Sequence, residues 1–274
     1  MTVSDPLAHW PDRTRLRGRP DGAILLVYTP GDSHYAGLRW ADGAWRPPST
    51  VPEDVAAAVA AQLAEWALST DDPALVDALQ GRGARPLRHA HSMSLDLTSE
   101  PLLAHVPDGV SLRTLTADML RGRADDIGAL ARRAHGEDGQ GWPDDDAAAA
   151  SMRRTAAGQV LGPLLDSSVL AERGEQAIGA CLVVDRPGDP PHGGPWVVDV
   201  VRDPDDPARG IGAAMLAQAA RGLRSAGLGA LSLAVTDDNT TARAVYDRLG
   251  FADLTQSWTL ALPVAVRNTR RSAR

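Results

Sequence analysis

The chain has 274 residues, a length that is long for one compact domain and typical of two. Apolar residues make up 43% and charged residues 23%, a balance that excludes a largely disordered chain. The formal net charge of -7 argues against nucleic acid as a partner, because the phosphates of nucleic acid bind basic surfaces.

The cysteine content and the hydropathy of the chain indicate which covalent links, metal sites and membrane segments to expect. The single cysteine, Cys181, excludes an internal disulfide, and no Cys/His cluster has the spacing of a zinc site, so we predict no metal. The residues around Cys181 predict a buried strand, in which a thiol packs as a small apolar group. No segment has a secretory pattern or the ~18 apolar residues of a membrane helix, so we expect a cytoplasmic protein without a membrane partner.

The first 105 residues predict a small α/β domain. Alternating apolar residues predict strands over 23–28 and 34–40, and Asp42-Gly43 predicts a tight hairpin within the segment from Trp40 to Trp45. An Ala-rich stretch over 53–64 predicts a helix.

Strands and helices then alternate over residues 106–262, which predicts a second domain of mixed α/β class. Turn residues between the middle strands predict that those strands are antiparallel. The basic segment over 263–274 is predicted to be disordered. The elements expected after Gly109 are a strand over 110–115, helices over 117–134 and 147–159, strands over 168–172, 177–185 and 196–201, a helix over 211–225, a strand over 231–235, a helix over 241–249 and a last strand pair over 251–254 and 257–262.

A glycine-containing loop over 203–213 lies between a predicted strand and a predicted helix. Gly210 and Gly212 allow the backbone to approach a ligand, and the amides and positive end of the following helix favour an anionic phosphate. The same glycines are also consistent with a tight turn that has no ligand.

Asn239 and Tyr246 form a second motif after the next strand. Asn239 is placed to cap a helix, and Tyr246 lies seven residues later, almost two helical turns, so both side chains can face one cleft. Taken alone, Tyr246 is more typical of a core aromatic residue.

Together the segments Pro207-Ala-Arg-Gly-Ile-Gly212 and Asn239–Phe251 resemble the GCN5-related N-acetyltransferase (GNAT) family, whose loop pattern is Gln/Arg-x-x-Gly-x-Gly/Ala. The resemblance covers 109–262 and implies the acyl-CoA N-acyltransferase fold, a central, mostly antiparallel sheet flanked by helices. It implies acetyl-CoA as co-substrate and Tyr246 as the proton donor to the departing thiolate. The implied cofactor contacts are Val200, Val201 and Arg202 on a strand, Ala208, Arg209, Gly210, Ile211, Gly212 and Ala213 in the loop and helix start, and Asn239 and Ala242 in the second motif.

Two residues depart from the family pattern. Pro207 stands where Gln or Arg is usual, and proline has no N–H to donate to a phosphate oxygen. Arg202 replaces an aliphatic residue, so it either points to a phosphate or an acidic acceptor, or indicates that its strand is bulged.

The resemblance also implies direct attack of a neutral amine on the thioester, which requires a general base. Asp199 is one candidate because it interrupts an apolar strand, and alternation places it on the face opposite Val198 and Val200. Glu137 is the other, since the corresponding loop covers the acceptor site in the family. Both are also consistent with solvated carboxylates. Trp142, in the same loop, either contacts an acceptor or packs in the core.

The N-terminal domain resembles a truncated second copy of the same fold, a tandem arrangement similar to that of mycothiol synthases. Chance similarity in an Ala/Leu-rich chain is the other interpretation. Leu79 takes the tyrosine position and Asp72 the asparagine position, so we expect this copy to be catalytically silent. A shift of 167 positions aligns 66–72 with 233–239, Gly83 with Gly250, and 93–95 with 260–262.

The sequence therefore predicts an acetyl-CoA-dependent N-acetyltransferase acting on an amine of a small molecule or a protein. The acidic net charge favours a cationic small amine. The alternative is a non-catalytic module that senses acyl-CoA or serves as a scaffold.

Overall fold

The computed structural model describes residues 14–18, 22–31, 36–99, 104–136, 142–191 and 193–264. Contacts divide the chain into two compact units. The first comprises Met1–His91, Thr236–Asp238 and Thr255–Arg274, and the second comprises Ser92–Val235 and Asn239–Leu254. This division differs from a boundary at residue 105, because residues 92–99 pack in the second unit and residues 255–264 in the first. The predicted disordered tail lies outside the described residues from position 265 onward.

The first unit is built on strands with two helices. β1 and β2 pair antiparallel, as do β2 and β3, whereas β3 and β4 pair in parallel. Buried leucine and valine side chains from the strands and helices form its core. Its elements are β1 (Thr14–Arg17), β2 (Ile24–Pro30), β3 (Arg39–Trp45), α1 (Pro52–Gln62), β4 (Trp66–Thr70), α2 (Pro73–Gln80) and the first part of β5 (Arg85–Asp96).

The hairpin predicted at Asp42-Gly43 is wrong, because β3 runs through this dipeptide as one strand. The register shifts between Ala41 and Ala44, and Gly43 has φ of 53°, so the dipeptide forms a bulge. Strands β2 and β4 bind β3 on both edges, and Thr70 Oγ1 donates to the carbonyl of Ala44 at 2.8 Å. These pairings keep the strand extended where a turn was expected.

The second unit has the predicted mixed α/β class with a mostly antiparallel sheet. The strand order is β10-β9-β8-β7-β6, in which only the β9–β10 pair is parallel among the described pairings. Along β8, Ile178 and Cys181 face one core cluster and Ala180 and Leu182 face another, so helices cover both faces. The elements are β6 (Ser111–Thr114), α3 (Ala117–Gly122), α4 (Ala124–His135), α5 (Asp145–Ala156), β7 (Val169–Arg173), β8 (Gln176–Arg186), β9 (Gly194–Arg202), α6 (Ile211–Ser225), β10 (Ala230–Thr236), α7 (Thr240–Arg248) and the first three residues of β11 (Ala252–Ala261).

Two elements of this half differ in continuity from those predicted, and α5 ends at Ala156, three residues before the predicted end. The helix expected over 117–134 breaks at Arg123, whose backbone leaves helical geometry. The Arg123 guanidinium binds the buried carboxylate of Glu172, which ties the break to β7. The expected final strand pair is one continuous strand, β11, because residues 258–261 pair directly with β4.

The two halves of the chain repeat the same order of elements. β1, β2, β3, α1, β4, α2 and β5 follow one another as β7, β8, β9, α6, β10, α7 and β11 do, with the same pairing sense wherever both are described. A shift of 167 positions aligns the starts of α2 and α7 and the starts of β5 and β11. Gly83 and Gly250, also aligned, have φ of 89° and 82°. These alignments support the proposal that the N-terminal half is a second copy of the same fold.

Candidate functional site

A fork between two parallel strands forms the centre of the candidate site. β9 and β10 pair at Trp196 with Ser232 and at Val197 with Leu233, and the described pairing ends there. After the extra residue Val198, residues Asp199 to Arg202 of β9 continue to pair with β8 on the other edge. The amides and carbonyls on the β10 side of this segment are therefore available to an extended ligand.

A bulge in β9 lies at the fork. The register with β8 shifts between Leu182 and Val183, so Val198 is an extra residue opposite β8. The alternation predicted for this strand is therefore wrong, since Val198 packs with the α3–α5 side and Val200 with the α6–α7 side. Val201 is buried, and Arg202 is exposed and donates through Nη1 to the carbonyl of Asp203 at 3.0 Å.

Helix α6 presents an uncapped N-terminus beside the loop. Gly210 is the N-cap residue with φ of 87°, a left-handed conformation that favours glycine, and no side chain caps the helix. The first helical amides are those of Ile211, Gly212 and Ala213. No preceding helical turn exists to provide carbonyl acceptors for them. No acidic residue lies in this first turn, and Arg209 next to it is exposed. The arrangement suits a phosphate group.

Two buried carboxylates hold the loop before this helix. Asp206 accepts two hydrogen bonds from Arg173 at 3.0 Å each and one from the amide of Ala208 at 2.8 Å. The Arg173 guanidinium holds the pKa of Asp206 below its usual value. Asp203 accepts from Arg133 at 3.0 Å. The amide of Ala208 is thus hydrogen-bonded within the loop. Arg173 and Arg133 neutralise the negative charges of Asp206 and Asp203, which would otherwise repel an anion.

The second motif lies at the start and in the middle of α7. Asn239 caps the helix, its Oδ1 accepting the amide of Ala242 at 3.1 Å, and it is exposed. Tyr246 is buried, and its ring packs on Phe251 with centroids 5.7 Å apart. Burial raises the pKa of the Tyr246 phenol above its ordinary value, and the negative charge of Asp199 adds to this effect. The hydroxyl is therefore protonated at neutral pH.

Cys181, opposite Val200 in the β8–β9 ladder, is fully buried. Burial raises the pKa of its thiol to about 12, so the thiol is neutral and a poor nucleophile. This agrees with its interpretation as a small apolar core residue.

The structure brings Asp199 together with His135, the last residue of α4. His135 Nε2 lies 3.0 Å from Asp199 Oδ2 and 3.2 Å from Oδ1. The hydrogen bond to Asp199 raises the pKa of His135 above its usual value, although burial acts against the shift. Trp142 lies edge-on to the His135 ring at 5.8 Å and also packs against the α3–α5 core. Glu137, the other predicted base, lies outside the described residues.

Several of these residues were not identified from the sequence. His135, Arg133, Arg173, Asp203 and Asp206 act through pairs that the fold creates between distant segments. The one local signal was the Asp203-Pro-Asp-Asp206 run, because aspartates that accept nearby amides commonly shape such turns.

Comparison with known proteins gives one family and one curated relative. Residues 132–251 match the model of the acetyltransferase (GNAT) family. A mycothiol acetyltransferase from Catenulispora acidiphila is 31% identical over 183 residues, which are 65% of this chain and 55% of that protein. The chain thus spans about half the length of this relative.

Solved structures share the fold. A GCN5-related N-acetyltransferase from Sphaerobacter thermophilus has a TM-score of 0.63 at 15% identity, covering 89% of this chain and 79% of that one. A tandem GNAT protein from the clavulanic acid biosynthesis pathway has a TM-score of 0.59 at 17% identity, covering 89% and 82%. Separately, no helix in the described ranges combines the length and apolar character needed to cross a bilayer.

Proposed function

We propose that this chain is a member of the GNAT family and an acetyl-CoA-dependent N-acetyltransferase, because residues 132–251 match the family model and a mycothiol acetyltransferase is 31% identical over 183 residues. The observation that carries the proposal is the fork after Val197 combined with the uncapped start of α6. An acyl-CoA has an extended pantetheine arm that ends in a pyrophosphate. One end of the site offers strand amides to the arm, and the other offers helix amides to the anion.

Cofactor binding divides among three segments in this proposal. Amides of Arg209 to Ala213 and the positive end of α6 hold the pyrophosphate, and Pro207 contributes none. Residues Val200 to Arg202 of β9 hold the pantetheine and polarise the thioester carbonyl. Asn239 and Ala242 contact the cofactor from the start of α7.

The proposed reaction is direct attack of a neutral amine on the acetyl carbonyl. The amine nitrogen forms a bond to the carbonyl carbon, and the carbon–sulfur bond then breaks to release the thiolate of coenzyme A. Tyr246, which is protonated at neutral pH, donates its phenolic proton to that thiolate. The acetylated amine and the free thiol leave, and the phenolate regains a proton from solvent.

We assign the proton acceptor for the amine to His135 oriented by Asp199. An imidazole with a carboxylate partner is a general base near neutral pH, whereas a lone exposed carboxylate is a weak one. Asp199, which the sequence analysis names as a candidate base, then acts instead by orienting His135. Glu137 remains a second candidate from the sequence. The acceptor class favoured here is a small cationic amine, which the acidic net charge of the chain attracts.

The first unit has a non-catalytic role in this proposal. The helix that matches α6 is α1, which begins with Val51 as N-cap and Pro52 in its first turn, so it offers fewer amides than α6. Leu79, at the position that matches Tyr246, is a buried core residue. Neither a phosphate cradle nor a proton donor is present at the matching positions.

The test combines calorimetry with a thiol-release assay on the full chain. We expect acetyl-CoA to bind with one site per chain, and at least one amine in a panel of polyamines, amino sugars and amino-acid amides to accelerate release of free thiol. The same reaction without amine is the control. Absence of acetyl-CoA binding refutes the proposal, and tight binding without amine-dependent thiol release identifies a binding module instead.

A further inference from the structure

Two histidines and an aspartate meet in the first unit, and none of them has a role in the acetyl transfer proposed above. His89 and His91 are two residues apart on β5, so strand alternation places them on the same face. Asp237 follows β10, and its amide donates to the carbonyl of His89 at 2.9 Å, which fixes the two segments together. One nitrogen from each histidine and one carboxylate oxygen all lie within 4.8 Å of one another.

The hydrogen bonds of His89 indicate where its proton is. Its Nε2 lies 2.9 Å from Oε1 of Gln256, and the tautomer with the hydrogen on Nε2 donates to this oxygen. In the neutral ring, Nδ1 then presents a lone pair. This nitrogen faces Oδ2 of Asp237 at 3.6 Å, so two acceptors point at one another. Such an arrangement is stabilised either by a proton on Nδ1 or by a metal ion between the two atoms.

Packing holds the His89 ring in this orientation. Trp258 stacks on the ring with centroids 4.7 Å apart and an interplanar angle of 9°. Rotation that would move Nδ1 away from Asp237 therefore costs the stacking contact as well as the hydrogen bond to Gln256. A ligand nitrogen whose ring is fixed by a second-sphere acceptor is the usual arrangement of metal-binding histidines.

We propose that His89 Nδ1, His91 Nε2 and the Asp237 carboxylate bind one divalent transition-metal ion of the Zn²⁺ type. Tetrahedral zinc with bonds of ~2.0–2.2 Å separates its ligand atoms by about 3.3–3.6 Å. His89 Nδ1 lies 3.6 Å from Asp237 Oδ2, at the upper end of that range. His91 Nε2 and Asp237 Oδ1 are 3.0 Å apart and share a hydrogen, which the metal ion replaces when it binds. Imidazole ligands favour zinc, copper, iron or nickel over magnesium and calcium.

The coordination number follows from exposure. The His91 side chain is 5% exposed, whereas that of Asp237 is 47% exposed, so the site opens toward solvent on the aspartate side. Three protein ligands and a water molecule complete four-coordinate zinc. The sequence did not predict this site because Asp237 lies 146 residues from His91, and His-x-His alone has no zinc-specific spacing.

The test measures metal binding directly and does not depend on acetyl transfer. Tag-free full-length protein is treated with a chelator, dialysed and titrated with Zn²⁺ by calorimetry. We expect one ion per chain, and a dissociation constant at least 10-fold higher for His89→Ala and for Asp237→Asn. Gln256→Leu, which removes the second-sphere acceptor, is expected to weaken binding ~10–100-fold. His105→Ala, which changes an exposed histidine outside the cluster, is the matched control.

Three outcomes overturn the proposal. The first is wild-type protein that binds no Zn²⁺ more tightly than the His89→Ala/His91→Ala double variant does. The second is equal affinity in wild type and Asp237→Asn, a variant that preserves side-chain shape and so controls for misfolding. The third is equal loss of affinity in His105→Ala and His89→Ala, which would indicate non-specific surface binding.

Discussion

Introducing a negative charge at Gly212 separates anion binding from folding. A side chain built at Gly212 meets no atom within 4 Å, and its backbone is not in the left-handed region. The residue lies in the first turn of α6, where a carboxylate interacts favourably with the helix dipole by ~0.3–1 kcal/mol. We therefore expect Gly212→Asp to be at least as stable to thermal unfolding as the wild type.

The same carboxylate repels a pyrophosphate at the helix start. At a separation of about 5 Å, two like charges repel by ~1 kcal/mol in bulk water and by ~3 kcal/mol at an effective dielectric constant of ~20. The dissociation constant for acetyl-CoA should consequently rise by a factor between ~5 and ~150. Added salt should reduce this factor, because both groups are close to solvent.

Gly212→Asn is the matched control, since it has the size of aspartate without the charge. Calorimetric titration of acetyl-CoA into both variants at low and high salt measures the purely electrostatic part of the change. Equal affinity of the Asp and Asn variants at low salt would refute the location of the pyrophosphate at α6.

Three further predictions concern the proton donor, the base and the packing of the second unit. Tyr246→Phe should lower kcat by up to ~10²-fold with little change in acetyl-CoA affinity. Tyr28→Phe, which also removes a buried hydroxyl, should leave kcat unchanged. Equal kcat in the Tyr246 variant and the wild type would remove this residue from the mechanism. Neutral His135 is the active form, so kcat/KM should rise as pH increases through the raised pKa of His135. Asp199→Asn lowers that pKa and should move the rise to lower pH. A pH profile that does not shift in this variant would contradict the pairing of His135 with Asp199. Gly128→Ala should lower the free energy of unfolding by ~1–3 kcal/mol in denaturant titrations, because the added methyl lies 2.6 Å from a backbone nitrogen of α5. Unchanged stability would show that α4 and α5 can move apart without an energetic cost.

Local signals at both ends explain why some elements could be predicted from the sequence. Helix α6 was expected over 211–225 and extends from Ile211 to Ser225, because glycines border both ends and apolar residues keep a helical period. The antiparallel order of β7, β8 and β9 followed from turn residues between them. In each case the information lies within a few residues of the boundary.

Long-range pairing explains what could not be predicted. Asp42-Gly43 is a strong hairpin signal, yet partners on both edges of β3 keep it in a strand. The bulge in β9 reverses the alternation after Val198; Arg202 was consistent with a bulge in this strand, but no residue type indicated its position at Val198. His135 and Asp199 meet across 64 residues, so neither could be recognised as the partner of the other.

The pairing of β4 with β11 has a consequence for synthesis of the chain. The side-chain hydroxyls of Ser69 and Thr259 are 2.8 Å apart although 190 residues separate them. Until the ribosome has produced the residues of β11, the edge of β4 has no native neighbour there, and an unpaired edge invites association with other chains. Folding of the first unit is therefore delayed until β11 has been synthesised, and removal of residues after 254 should leave this unit prone to aggregation.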